Sequence, residues 1–133
     1  MPRILPLVLL FSLLSCHTVE RDCATFKTGT FEFETLVGTE LKKTRFLRND
    51  TLEVDFYDNK VDTFTVRWVN DCEYVMKKLR PKNQAEKEAI LFKILSTNGN
   101  SYTFEYSKLI KKKNVKKVVK QGTAVKISSE TLK

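Results

Sequence analysis

The sequence predicts an all-β domain, an antiparallel meander of eight or nine short strands with one short helix. Three observations support this prediction. Apolar and polar residues alternate with period two through most of the chain after residue 24. Asn, Asp and Gly pairs separate the alternating stretches at hairpin spacing, and helix-forming residues gather in only one segment. A small β-barrel is favoured because closure removes exposed strand edges, and a two-sheet sandwich is the alternative.

Four stretches show the alternation most clearly, and each is expected to place its apolar residues on the inner face of the sheet. The predicted inner residues are Leu52, Val54 and Phe56, then Phe64, Val66 and Trp68, then Tyr102, Phe104 and Tyr106, and finally Val125 and Ile127. Near the start, the alternation changes parity between Phe26 and Phe31. Gly29 lies between them, and a glycine inside a strand predicts a bulge there.

One segment favours a helix instead. Asn83 is a candidate N-cap, and Glu86 follows three residues later with the spacing of a capping box. We expect a short helix over residues 84–89. The next run, ILFKIL at 90–95, is apolar on both faces; a central strand is favoured there, and the buried end of the helix is the alternative.

The first 16 residues indicate export. Residues 4–14 are uncharged and apolar, too short to cross a bilayer but typical of a secretory signal peptide. Leu13, Leu14, Ser15 and Cys16 resemble the lipobox of bacterial lipoproteins. That resemblance implies cleavage after Ser15 and lipidation of Cys16, and a plain secretory signal is the alternative. Because His17 rather than Asp follows the cysteine, the resemblance favours the outer membrane of the cell envelope.

These features divide the chain into three parts. Residues 1–15 are the predicted signal peptide, 16–23 the lipidated cysteine and a short tether, and 24–133 a single β-barrel-like domain. An exported protein meets an oxidising compartment, so Cys23 and Cys72 are candidates for a disulfide, with two separate buried thiols as the alternative. Their spacing suggests neither a zinc site nor a redox motif.

The layout of the mature chain resembles the lipocalin-like lipoproteins of bacterial envelopes. The resemblance consists of the lipobox, the tether, an early strand with Phe26, Gly29 and Phe31, and a β meander of about 110 residues. Such a barrel either fills itself with side chains or holds one small ligand. The residues expected to fill the core, or to line a cavity, are Phe31, Phe33, Phe56, Phe64, Trp68, Tyr102, Phe104 and Tyr106.

A lysine-rich run near the C-terminus is the strongest charge feature of a chain whose formal net charge is +8. Its members are Lys108, Lys111, Lys112, Lys113, Lys116, Lys117 and Lys120. The run is interpreted as a solubilised hairpin or as a patch that attracts anionic lipid headgroups. Nucleic acid would suit a basic barrel, but an envelope location argues against it.

The sequence indicates no catalytic or metal site and no cofactor. The only histidine, His17, precedes the domain, which excludes histidine-based triads and metal cages from the folded part. Two carboxylate pairs, Glu32 with Glu34 and Glu53 with Asp55, each share a strand face. They could serve acid/base chemistry or calcium binding, but a solvated outer face is the favoured interpretation.

Two functions are therefore open, and an enzyme is less favoured than either. The first is a non-catalytic envelope lipoprotein that binds a small apolar molecule or lipid inside its barrel. The second is an interaction lipoprotein that docks to membrane headgroups or to a protein partner through its outer face and lysine-rich hairpin. The sequence identifies neither the ligand nor a protein partner.

Overall fold

The computed structural model describes residues 18–19 and 21–133. The predicted signal peptide, the lipobox and Cys16 lie outside the described residues, and so does part of the tether. Among the residues that are described, no helix has the length and apolar character needed to cross a bilayer.

Eight antiparallel strands form a closed barrel in which each strand pairs with the next and β8 pairs with β1. The strands are β1 (Gly29–Val37), β2 (Glu40–Arg48), β3 (Leu52–Tyr57), β4 (Lys60–Asn70), β5 (Glu73–Lys78), β6 (Ile90–Asn98), β7 (Ser101–Lys108) and β8 (Lys120–Ser128). A single 3-10 turn, Ala24–Phe26, precedes them. The predicted all-β barrel is thus confirmed, and the sandwich alternative is wrong.

The two ends of the barrel are built differently. We call the floor the end at which β1 begins and β2 ends; short turns at 49–51, 71–72 and 99–100 connect strands there, and the 3-10 turn lies beside them. We call the mouth the opposite end. Its connections are two tight turns, 38–39 and 58–59, and two loops of 11 residues each, 79–89 and 109–119.

The helix expected over residues 84–89 is absent, and that prediction was wrong. One capping contact does form, since Asn83 Oδ1 accepts the Glu86 N–H at 2.9 Å. Glu86 Oε2 accepts the N–H of Lys82 at 2.7 Å, rather than that of Asn83. However, the segment makes only turns. It has no apolar face to pack, and helices this short depend on such packing. The run at 90–95 opens β6, as favoured.

The inner face of β3 is the reverse of the predicted one. Glu53 is buried, whereas Phe56 lies on the outer face with 41% of its surface exposed. The pairing with β2 explains this, because Arg48 faces the interior and stands directly opposite Glu53. Residues opposite one another in an antiparallel pair share a face. The interior prediction for Phe56 and the outer-face prediction for Glu53 and Asp55 were therefore wrong.

Strand β8 shows the same reversal. Ala124 is fully buried, while Val125 and Ile127 are exposed on the outside. Gly122 lies on the inner face two residues earlier, where a Cβ would come within 2.8 Å of the Phe104 ring. The small residues on this strand make room for large aromatic rings that the facing strands contribute.

A disulfide joins Cys23 to Cys72, as predicted, and fixes the segment before β1 to the β4–β5 turn. Gly29 has φ +136°, and the pairing of β1 with β8 shifts register just after it, which confirms the irregularity expected there. All eight strands, the disulfide and the buried core come from residues 21–133. Residues 21–133 therefore contain every described strand and the core of the closed barrel, as a domain that folds alone requires.

Candidate functional site

Aromatic side chains fill the lower and middle barrel. Seven of the eight predicted residues lie inside, Phe56 being the exception, and their rings pack against one another and against Phe26, Phe46, Tyr74 and Phe92. Ring centroids lie close together, from 4.6 Å for Trp68 and Tyr74 to 6.1 Å for Phe33 and Phe46. Such pairs stabilise beyond the area they bury. These residues act as core, and of the eight only Tyr106 lines the cavity at the mouth.

Arg48 lies at the centre of the floor with no exposed surface. Its guanidinium donates to Glu53 Oε2 at 2.9 Å and to the Tyr74 hydroxyl at 2.7 Å. It also donates to the Tyr102 hydroxyl at 3.2 Å and to the carbonyl oxygens of Phe26 and Lys27 at 2.8 and 3.2 Å. All five of its N–H groups are thus used, so a buried charge is paired as its burial requires.

Two carboxyl groups meet beside Arg48. Burial, reinforced by the neighbouring Glu53, raises the pKa of Asp55 to about 9. Burial also raises the pKa of Glu53, against the opposing positive charge of Arg48. Asp55 therefore holds a proton at neutral pH, while Arg48 favours the ionised form of Glu53. A protonated Asp55 thus adds no further negative charge beside the Arg48–Glu53 pair.

Sequence reasoning missed this floor cluster of Arg48, Glu53, Asp55, Tyr74 and Tyr102. The alternation of β3 identified the two carboxylates as a pair on one face but assigned them to the wrong side. Arg48 and Glu53 are at most 5% exposed. Because the cluster is enclosed, we assign it a structural role: it ties the 3-10 turn and four strands together.

The mouth holds a cavity of about 330 Å³. Its apolar wall is formed by the strand residues Ile90 and Tyr106 and by loop residues that lie over the barrel end. The loop contribution comes from Ile110, Val115 and Val118. The volume falls in the range of about 300 to 1,000 Å³ that is typical of small-molecule sites.

Six of the seven lysines of the predicted basic run surround this cavity, namely Lys108, Lys111, Lys112, Lys116, Lys117 and Lys120. Lys113 is exposed but does not line it. Glu88 binds both Lys108 and Lys112, the latter at 2.7 Å, which lowers the pKa of the Glu88 carboxyl. The other four lining lysines form no ion pair within the described residues. The cavity therefore combines an apolar wall with unneutralised positive charge.

A second polar group lies at the mouth beside a cleft of about 200 Å³. The Tyr57 hydroxyl donates to Asp62 at 2.5 Å, and Lys78 bridges Asp62 and Glu86 at 3.1 and 3.2 Å. The Tyr57 hydrogen bond is the main reason why the pKa of Asp62 is lowered. Each member already has a partner, and the bridge to Glu86 holds the 79–89 loop to the barrel.

The remaining predicted sites lie as follows. Glu32 stays on the outer face, where Arg45 donates to it at 2.7 Å, and Glu34 is exposed. Within the described chain, no group of three or more His, Cys, Asp and Glu side chains is placed to hold a metal ion. No protein-family model, curated protein or solved structure matches the chain.

Proposed function

We propose that this protein is a lipid-anchored binding protein of the cell envelope that holds an amphipathic anion at the barrel mouth. The observation that carries the proposal is the mouth cavity, in which an aliphatic wall stands beside lysines. A ligand with an apolar tail and a carboxylate or phosphate head fits both features. The tail contacts Ile90, Val115 and Val118, and the head accepts charge-assisted hydrogen bonds from lysine Nζ groups.

The filled floor supports a site at the mouth rather than deep in the barrel. Aromatic rings occupy the lower interior, whereas the mouth cavity beside Tyr106 and Ile90 leaves room for a ligand. Binding there needs no catalytic group, and the protein acts as a carrier or receptor. The lipocalin-like layout of the chain agrees with this role.

Binding is tested by calorimetric titration of residues 21–133 with dodecyl phosphate, and with dodecanol as the uncharged control. We expect dodecyl phosphate to bind at least about tenfold more tightly, which corresponds to roughly 1.4 kcal/mol. Val118→Asp places a negative charge in the cavity and should abolish binding. Val69→Asp, an equally solvent-accessible change at the floor, should leave binding unchanged. Equal affinity for both ligands, or full binding by Val118→Asp, would contradict the proposal.

The anchor is a separate part of the proposal and rests on the lipobox resemblance of residues 13–16. Two or three acyl chains on Cys16 would hold the protein far more firmly than a single chain does. Cys16→Ser should move the protein from the membrane fraction to the soluble fraction after a high-salt wash. A variant that still sediments with membranes after that wash would show that Cys16 is not the anchor.

A further inference from the structure

The hairpin of β1 and β2 extends beyond the barrel wall at the mouth. Strand β1 pairs with β8 only over residues 30–33, and β2 pairs with β3 only over 45–48. Among the strands of the described chain, residues 34–43 therefore have partners only within their own hairpin. We call this segment the arm. An exposed ion pair between Lys42 and Asp58, at 3.4 Å, joins the arm to the next hairpin, and contact with a further surface would stabilise a projecting two-stranded segment of this kind.

The tip of the arm is apolar and exposed. Leu36 and Leu41 stand directly opposite each other and are 68% and 62% exposed. Val37, beside them, is 57% exposed. The next hairpin at the mouth repeats the pattern, since Phe56 is paired with the exposed Val61. Large apolar side chains thus project from the same end of the barrel that carries the lysines.

The charge of the connecting loops differs sharply between the two ends. The four mouth connections carry eight Lys and Arg residues against three Asp and Glu. The three floor turns carry no Lys or Arg residue and two Asp residues. The 109–119 loop alone supplies five of the lysines. In the connecting loops, positive charge and exposed apolar side chains therefore coincide at the mouth.

We propose that the mouth docks onto the surface of a bilayer rich in anionic phospholipid. The lysines of the 109–119 loop contact the phosphates, each contributing to attraction near the surface. The arm tip, with Leu36, Val37 and Leu41, enters the boundary between headgroups and acyl chains, as apolar faces do at membrane interfaces. Docking does not require the mouth cavity to be occupied, but it turns the cavity toward the lipids.

Vesicle flotation with residues 21–133 tests this without the lipid anchor. We expect binding to vesicles of phosphatidylcholine and phosphatidylglycerol in equal parts, little binding to phosphatidylcholine alone, and release by high salt. The double variant Leu36→Thr/Leu41→Thr keeps β-forming residues and should weaken binding about tenfold. Its matched control is Val125→Thr/Ile127→Thr, two exposed aliphatic residues on the outside of β8 away from the mouth, and it should bind as the wild type does.

Three results would overturn the docking proposal: no vesicle binding, equal binding to both vesicle types, or full binding by the arm variant. Dodecyl phosphate titration separates these from a failure of the proposed function. The arm variant should bind that ligand normally because neither leucine lines the cavity. Loss of vesicle binding with intact dodecyl phosphate binding therefore supports the arm as the docking element.

Discussion

The floor and the mouth of this barrel differ in whether their charged side chains are buried or exposed. At the floor, the Arg48 charge is buried and every one of its N–H groups has an acceptor. At the mouth, lysines stand in solvent, and within residues 21–133 the sole ion-pair partner of those around the cavity is Glu88, which binds two of them. A buried charge whose hydrogen bonds are all satisfied stabilises the fold. An exposed charge without an ion-pair partner is available to a ligand.

The connections follow the same division. The disulfide holds the floor, and the C-terminal segment crosses it, where the Thr131 hydroxyl donates to the Arg48 carbonyl at 2.6 Å. The 109–119 loop at the mouth is almost entirely exposed. Regions with few buried contacts and exposed backbone open most easily. We therefore expect the floor to determine stability and the mouth to determine binding.

The largest expected effect comes from removing the floor charge. Arg48→Met leaves Glu53 buried without its cation, and breaking a buried pair costs about 3 to 5 kcal/mol. That is a large share of the roughly 5 to 15 kcal/mol that keeps a domain folded. Urea denaturation followed by circular dichroism measures the change.

The control lies on the same strand. Arg45→Met removes an exposed pair with Glu32, which should cost less than about 1 kcal/mol. The double variant Arg48→Met/Glu53→Gln also removes the unpaired Glu53 carboxylate. It should therefore recover part of the free energy of unfolding that Arg48→Met loses. If Arg48→Met and Arg45→Met cost the same, the floor cluster does not have the structural role assigned to it.

A smaller effect is expected from raising the pH by one or two units. The folded pKa of Asp55, about 9, lies above the unfolded value of about 4. The folded protein thus keeps a proton that the unfolded chain releases between these values. Its contribution to stability is complete below about pH 4 and is lost as the pH rises toward 9, at roughly 1.4 kcal/mol per pH unit.

Denaturation midpoints measured from pH 5 to pH 9 test this contribution, and Asp55→Asn should flatten the decline. The lowered pKa values of the half-buried carboxylates Glu32 and Glu86 add stability that is lost only on acidification, so they do not mask the slope. A variant that declines as steeply as the wild type would assign the pH dependence to another group.

The sequence predicted the barrel because alternation and turn residues are local signals. It could not predict which face of β3 points inward, because that depends on the register with β2. Arg48 stands opposite Glu53, and Leu47 stands opposite Val54. This register places Arg48 and Glu53 on the inner face of the barrel and Leu47 and Val54 on the outer face. Alternation gives two faces, but only the neighbouring strand decides between them.

The sequence identified some of the residues that line the mouth cavity but did not predict where the cavity lies. The lysine run was recognised from its density, and Tyr106 as an inner residue from its alternation. The cavity itself forms because the 109–119 loop lies over the ends of β6, β7 and β8. A long loop carries no periodic signal that would fix its path, so residues such as Val115 and Val118 gave no sign of their role.

The smallest expected effect on stability completes the comparison. Replacing Lys111, Lys116 and Lys117 with Gln removes three mouth charges that form no ion pair within the described residues. Exposed substitutions of this kind usually change the free energy of unfolding by no more than about 0.5 kcal/mol. Dodecyl phosphate binding and vesicle binding should both weaken strongly in the same variant, because each depends on positive charge at the mouth. Should the variant unfold as readily as Arg48→Met, the mouth would contribute to the stability of the fold. The expectation that the floor determines stability and the mouth determines binding would then be wrong.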